Sequence, residues 1–351
     1  MGRAWLSAIR AEPGAELAGV VDLDLDAARG ALAEAGLADV PVGTDAVALA
    51  RETGSRAVVN VTVPAAHHPV TTAALFAGLP VLGEKPVAES VPRALSLAAA
   101  AEVTGELFVV SQSRRYNRQL FAFREQARTL GDLGVLTTEF FKAPRFGGFR
   151  DAMAHPLLLD MAIHPFDTAR FLLGAEPVSV YCEEFNPSWS WYAGDAAATA
   201  VFEMTGGVRY SYTGSWCSPG QETSWNGSWR LSGRDGTALW DGDHEPVAEV
   251  PSDRPHDAAQ GVDPGDGIAG SLATFLAALD GGPTPMGEVH ENVLSLVMVA
   301  AAVESAATGA KVLVDDLLER AYAEALAKES REDVRAQLAS WTSVRAALGP
   351  A

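Results

Sequence analysis

Short apolar, β-branched runs alternate with Ala-rich stretches through the first 112 residues. The runs are ELAGVVD (16–22), AVVNVTV (57–63), PVLGE (80–84) and LFVVSQ (107–112). Between them lie LDAARGALAEAG (25–36), DAVALARETG (45–54), HPVTTAALFAG (68–78) and SVPRALSLAAAAEVTG (90–105). Strands alternating with helices predict a parallel α/β sheet. The runs are apolar throughout, as strands covered on both faces must be. Gly36, Gly54, Gly78 and Gly105 stand where helix C-caps belong.

Beyond residue 112 the pattern changes. A helical segment (117–130) leads to a strand (135–143) and an apolar helix (156–173). VSVYCEEF, AATAVFEM, GVRYSYTGSW and SWRLSGRDGTALWD follow, with TGG (205–207) and RDG (234–236) as hairpin turns. Helices are expected near 268–280 and 289–308, and the stretch PSDRPHDAAQGVDPGDG (251–267) reads as a loop. The expected organisation is a dinucleotide-binding domain (1–112), an α/β domain with an open, largely antiparallel mixed sheet (113–314), and a helical tail (315–351).

Composition narrows the function. The 351 residues are 48% hydrophobic, enough to build two cores without metal or disulfide staples. Asp and Glu outnumber Lys and Arg by 45 to 26, a net charge of −19. Such a surface repels nucleic acid and anionic membranes. Two cysteines, Cys182 and Cys217, make no disulfide framework, so a reducing, cytoplasmic setting is expected. The longest apolar run, VLSLVMVAAAV (293–303), is about half of a membrane span and reads as a buried helix.

Four stretches carry chemistry. In HPLLLDMAIHPFD (155–167), Asp160, His164 and Asp167 share one helical stripe among apolar residues. Burying an acid and an imidazole there is costly unless they pair or meet a polar ligand. His164 suits general acid/base work, with Asp160 orienting it or binding hydroxyls. Asp160 and His164, with His155, also offer a chelating set, but the reading adopted contains no metal. In VLGEKPVAES (81–90), Lys85 precedes Pro86 at a strand end and is held extended, placed to bind a substrate oxygen or share its proton. In VNVTVPAAHHP (59–69), Thr62, Val63 and Pro64 follow a strand end, where ligands of such sheets sit. His67 and His68 are expected to divide into one helix cap and one exposed ring. Finally, Asp22 ends GVVD about 20 residues after Gly2, where a carboxylate accepts from ribose hydroxyls and disfavours a 2′-phosphate, so NAD is expected over NADP.

These pieces, in this order, resemble the Gfo/Idh/MocA oxidoreductases, the family of glucose–fructose oxidoreductase and inositol dehydrogenase. The matching stretches are GVVDLD, VTVPAAHHPVTTAALFAGLPVLGEKPVAES, HPLLLDMAIHPFDTARFLLG and ENVLSLVMVAAAVESAATGAKVLV. The resemblance implies a Rossmann domain, NAD or NADP, and a sugar, cyclitol or related polyol as substrate. It places Lys85, Asp160 and His164 at catalytic positions. Gly2, Asp22, Thr62, Val63, Pro64, His68, Glu84 and Lys85 fall at cofactor-contacting positions, and Arg115, Tyr116, Asn117 and His155 on the substrate side. It further implies a homodimer or homotetramer formed through the second-domain sheet. Two departures stand out. The glycine-rich turn is represented only by Gly2, so the first Rossmann strand and the other glycines are expected upstream of Met1. Met161, Ala162 and Ile163 occupy the interval where the family commonly carries glycine. A non-catalytic member that binds a sugar or cyclitol is the alternative.

Overall fold

The computed structural model describes residues 1–251 and 263–349. Of the loop-like stretch 251–267, residues 252–262 lie outside the described residues. The chain divides into two compact units. The first comprises Met1–Tyr116, Gly265–Val293 and Tyr322–Ser343; the second comprises Asn117–Pro264, Leu294–Ala321 and Val344–Ala351. The tail expected as a third region is thus shared between them.

The first unit alternates helix and strand: α1 (Gly2–Ala11), β1 (Val20–Val21), α2 (Leu25–Glu34), β2 (Val42–Gly43), α3 (Ala46–Thr53), β3 (Val58–Asn60), α4 (Pro64–Leu75), β4 (Val81–Gly83), α5 (Val91–Thr104) and β5 (Phe108–Val110). Local chemistry sets the boundaries. Asp24 and Asp45 each accept a 2.9 Å bond from the backbone N–H three residues on, capping α2 and α3. All four expected C-cap glycines have positive φ, which costs a residue without Cβ little.

Strands β3, β4 and β5 form one parallel sheet, and β1 pairs with β2 in another. Among the described residues no strand joins β1 to β3. Residues of β4 and β5 are fully buried, whereas those of β1 and β3 are mostly half-buried or exposed. Leu82 and Val109 meet Trp5 and Ile9 of α1 in the core. Each such side chain contributes about 1.5–3 kcal/mol by leaving water.

In the second unit, α6 (Arg118–Ala127) precedes β6 (Leu133–Phe141), and α7 (Ile163–Leu173) precedes β7 (Pro177–Phe185). The remaining strands are β8 (Ala197–Met204), β9 (Arg209–Ser215), β10 (Ser228–Gly233), β11 (Gly236–Trp240) and β12 (Val247–Glu249). The later elements of the chain are α8 (Gly267–Leu279), α9 (Val289–Thr308), β13 (Val312–Leu313), α10 (Val314–Lys328), α11 (Glu332–Ser340) and α12 (Val344–Ala347). The eight-stranded order is β12-β11-β10-β6-β9-β8-β7-β13. Only β6 and β9 pair in parallel; the other neighbours are antiparallel. The expected mixed, largely antiparallel sheet is therefore present.

Helix α7 is fixed to this sheet by rings. Phe166 meets Phe202, Tyr210 and Tyr212 edge-on at 4.8, 6.1 and 5.3 Å, the arrangement aromatic quadrupoles favour. The expected helix over 156–173 is not uniform. Residues Leu157–Ala162 form a π turn, and regular α-helix starts at Ile163. Pro165 cannot donate to the carbonyl four residues back, and the wider turn moves it into the first turn of α7, where that donor is not required.

Helix α9 is 20 residues long with mean hydropathy 1.2, so by length and composition it could cross a membrane. Yet 61% of that stretch is buried inside the protein, as in a core helix.

Candidate functional site

Two sets of polar side chains sit at the ends of apolar elements, one in each unit. In the first unit, the turns after β3 and β4 are stitched together. Asn60, buried at the end of β3, accepts from the Thr62 hydroxyl (2.7 Å) and donates to Thr71 (3.1 Å). The Glu84 N–H donates to the Asn60 carbonyl (2.9 Å). The Glu84 side chain is buried and accepts from Trp5 Nε1 at 2.7 Å and from the Lys85 N–H at 3.3 Å. Lys85 follows, half-buried, in a cis peptide with Pro86. Thr62, Val63 and Pro64 are exposed beside it in sequence, at the carboxyl end of β3.

The two histidines depart from expectation. His67 is buried, with Nδ1 2.6 Å from the Pro86 carbonyl and Nε2 3.0 Å from the Thr62 carbonyl. It therefore links the two turns. His68 is half-buried, and its Nε2 lies 3.0 Å from Ser96 Oγ on α5. Burial, and after it the Arg93 charge, lower its pKa. Neither ring caps α4, whose N-cap is Val63 with no side-chain bond, and neither is exposed.

Residues Arg115, Tyr116 and Asn117 each bond within the protein. Arg115 is 2% exposed and pairs with Glu291 at 2.5 Å. The Tyr116 hydroxyl lies 2.8 Å from Thr274 Oγ1, and burial raises its pKa. Asn117 accepts from the Leu120 N–H at 3.1 Å and caps α6. A buried guanidinium must be paired, and the partner lies 176 residues away. All three thus have partners within the protein.

In the second unit, Asp160 lies on the π turn and His164 in the first turn of α7. His164 is buried; the Asp160 side chain is 16% exposed. Arg150 donates its Nε to Asp160 Oδ2 at 2.6 Å. Its guanidinium lies over Phe149 and Phe146, at 4.8 and 5.3 Å. Sequence reading missed Arg150; the only signal was a basic residue in the aromatic, Gly-rich stretch RFGGFRDA. Asp167 has a different role from its two stripe-mates. It accepts from Ser295 Oγ (2.6 Å), which accepts from Arg170 (2.7 Å), which grips Glu176 through two bonds of 2.6 and 2.7 Å. That chain ties α7 to α9 and the start of β7. His155 pairs with Glu184 of β7 at 2.7 Å.

The first unit also carries the residues expected to face a dinucleotide. The Asp22 carboxylate is exposed just beyond β1, with Oδ1 accepting from the Asp24 N–H. Gly2 heads α1 with nothing within 4 Å of where a Cβ would lie, so a phosphate can approach the N–H groups of that helix end.

A Rossmann-type α/β unit, an exposed acid after its strand β1, and an Asp/His-bearing helix on a mixed sheet define a nicotinamide-dinucleotide oxidoreductase class. Residues 1–112 match the oxidoreductase family with an NAD-binding Rossmann fold, and residues 126–239 match the GFO/IDH/MocA C-terminal domain. The chain belongs to the GFO/IDH/MocA oxidoreductase family. It is 29% identical over 275 residues to an uncharacterized protein of Sinorhizobium fredii, covering 73% of this chain and 76% of that one. It is 34% identical over 173 residues to inositol 2-dehydrogenase 4 of Saccharopolyspora erythraea, covering 48% of this chain and 49% of that one. The match thus spans about half the length of that dehydrogenase. The fold is similar to that of the WlbA dehydrogenase from Bordetella pertussis in complex with NADH and UDP-GlcNAcA. The TM-score is 0.75 at 19% identity, over 89% of this chain and 95% of that one.

Proposed function

We propose that this protein is an NAD-dependent dehydrogenase acting on a CH–OH group of a sugar, cyclitol or related polyol. The observation that carries this reading is the placement of Asp160 and His164 at the junction of the π turn and α7. When bound, NAD supplies the hydride acceptor. His164 takes the hydroxyl proton as hydride leaves the same carbon, because an imidazole exchanges protons near neutral pH. Asp160, oriented by Arg150, holds a substrate hydroxyl. Lys85 supplies a cation for the reacting oxygen. Asp22 selects NAD over NADP through the ribose hydroxyls.

The experiment is His164→Ala. Turnover of the accepted polyol falls about 100-fold or more, while NAD binding by fluorescence titration is retained. Unchanged turnover rejects the role given to His164.

The outer face of the eight-stranded sheet supports self-association. Tyr181 and Val201 face each other across β7 and β8 and are 43% and 42% exposed. Val135 on β6 and Leu239 on β11 are exposed as well. An apolar sheet face of this kind marks an interface, and a homodimer or homotetramer is the assembly proposed. Cys182 and Cys217 are separate, buried thiols, which supports a reducing, cytoplasmic setting.

A further inference from the structure

We propose that His155, Glu184 and Asp195 form a binding site for one divalent transition-metal ion. The three side chains come from three places in the second unit: the segment entering the π turn, strand β7, and the residue two before β8. Each offers a ligand atom, and these atoms all lie within 4.8 Å of one another. Ligands around a tetrahedral ion stand about 3.3 Å apart at ordinary metal–ligand lengths, so small side-chain adjustments close the set on an ion.

Two features go beyond a chance cluster. The first is Glu184. Its side chain is only 2% exposed. One oxygen meets His155 Nδ1 at 2.7 Å, and the other, Oε1, is buried without a hydrogen-bond partner among the described residues. An unsatisfied buried carboxylate oxygen is expensive, and a cation is the ligand that satisfies it. Burial pushes the Glu184 carboxyl up to about 7; His155 opposes the rise and Asp195 adds to it.

The second feature is the backbone. The Ala193 N–H donates to the Asp151 carbonyl at 2.8 Å, and the Asp195 N–H to the Ala154 carbonyl at 2.9 Å. Between them, a Cβ on Gly194 would overlap the carbonyls of Ala154 and Met153. Only glycine lets this loop lie against the 151–154 segment, and that contact holds Asp195 next to His155. The site is therefore pre-set by main-chain bonds.

One imidazole with two carboxylates suits Zn²⁺ or Mn²⁺ better than Mg²⁺ or Ca²⁺, which favour all-oxygen sets. Three protein ligands leave coordination positions open to water or to a vicinal diol. The inference does not depend on the dehydrogenase reading, and its test does not involve turnover.

The test is calorimetric titration of chelator-treated protein with MnCl₂ and with ZnCl₂, repeated on Glu184→Gln, Asp195→Asn and His155→Ala. One ion per chain is expected, with affinity falling at least about tenfold in each folded variant. Binding unchanged across the variants, or no binding by the wild-type chain at submillimolar metal, overturns the proposal. Should a variant fail to fold, spin-echo spectroscopy of Mn²⁺ on the wild-type chain decides. Imidazole nitrogen coupling supports the site, and its absence rejects it.

Discussion

The indole N–H of Trp5, on the first helix, donates to Oε1 of Glu84, 79 residues later, at 2.7 Å. The ring is 2% exposed and the carboxylate 8%, so this bond holds the turn that carries Lys85 against α1. In Trp5→Phe most of the packing stays and the donor goes. Leaving one buried carboxylate oxygen unsatisfied costs about 1–3 kcal/mol. An unfolding free energy lowered by that amount in chemical denaturation is expected, and an unchanged free energy removes the role assigned to the bond.

Arg150 is the positioning partner of Asp160. In Arg150→Ala, kcat/KM for the polyol substrate falls about 10- to 100-fold, since misplacing a binding group by an ångström has effects of that size. Arg150→Lys restores little, because an ammonium cannot reproduce the guanidinium Nε contact and its stacking on Phe149. Steady-state kinetics on both variants check this; full activity in Arg150→Ala contradicts it.

The apolar outer face of the second sheet gives a separate expectation. Val201→Glu places charge opposite Tyr181 on the neighbouring strand. Sedimentation analysis is expected to show a smaller assembly than the wild-type chain, with an unchanged circular dichroism spectrum. An identical sedimentation coefficient rules out this face as the interface.

His290 of α9 supplies a pH dependence. Burial lowers its pKa, but Glu288 at 2.8 Å and Glu102 at 3.1 Å outweigh that and the net direction is up. The other oxygen of Glu102 accepts from Gln337 and Trp341 of α11 and the residue after it. A raised folded-state pKa stabilises fully below the unfolded value of about 6.5 and is lost as pH rises through the higher folded value. Hydrogen-exchange protection in α11 is therefore expected to weaken as pH rises above the unfolded value and through the raised folded one, relative to His290→Gln. Equal pH profiles for the two proteins would falsify the linkage.

Much of this molecule was legible in the chain, and the gaps share a cause. The four glycines with positive φ and the covered strands β4 and β5 are local signals, and the structure places them as read. Strand β2 was missed because two residues carry no periodicity. The π turn was missed because Asp160 and His164 are equally well spaced in a regular helix, and only Pro165 marks the break. Long-range partners left no local trace: Trp5 for Glu84, Glu291 for Arg115, and Ser295 for Asp167. The bonds of Arg115 and Tyr116 to α9 and α8 are of this kind.

The separation of β1–β2 from β3–β4–β5 has a thermodynamic corollary. Among the described residues the two sheets share no strand pairing, and strands so separated need not melt together, so the short pair can open while the larger sheet stays intact. Asp22 lies just past that pair. Any ribose it holds is thereby coupled to the pair's order: binding steadies the hairpin-free ribbon, and steadying the ribbon tightens binding by an equal factor.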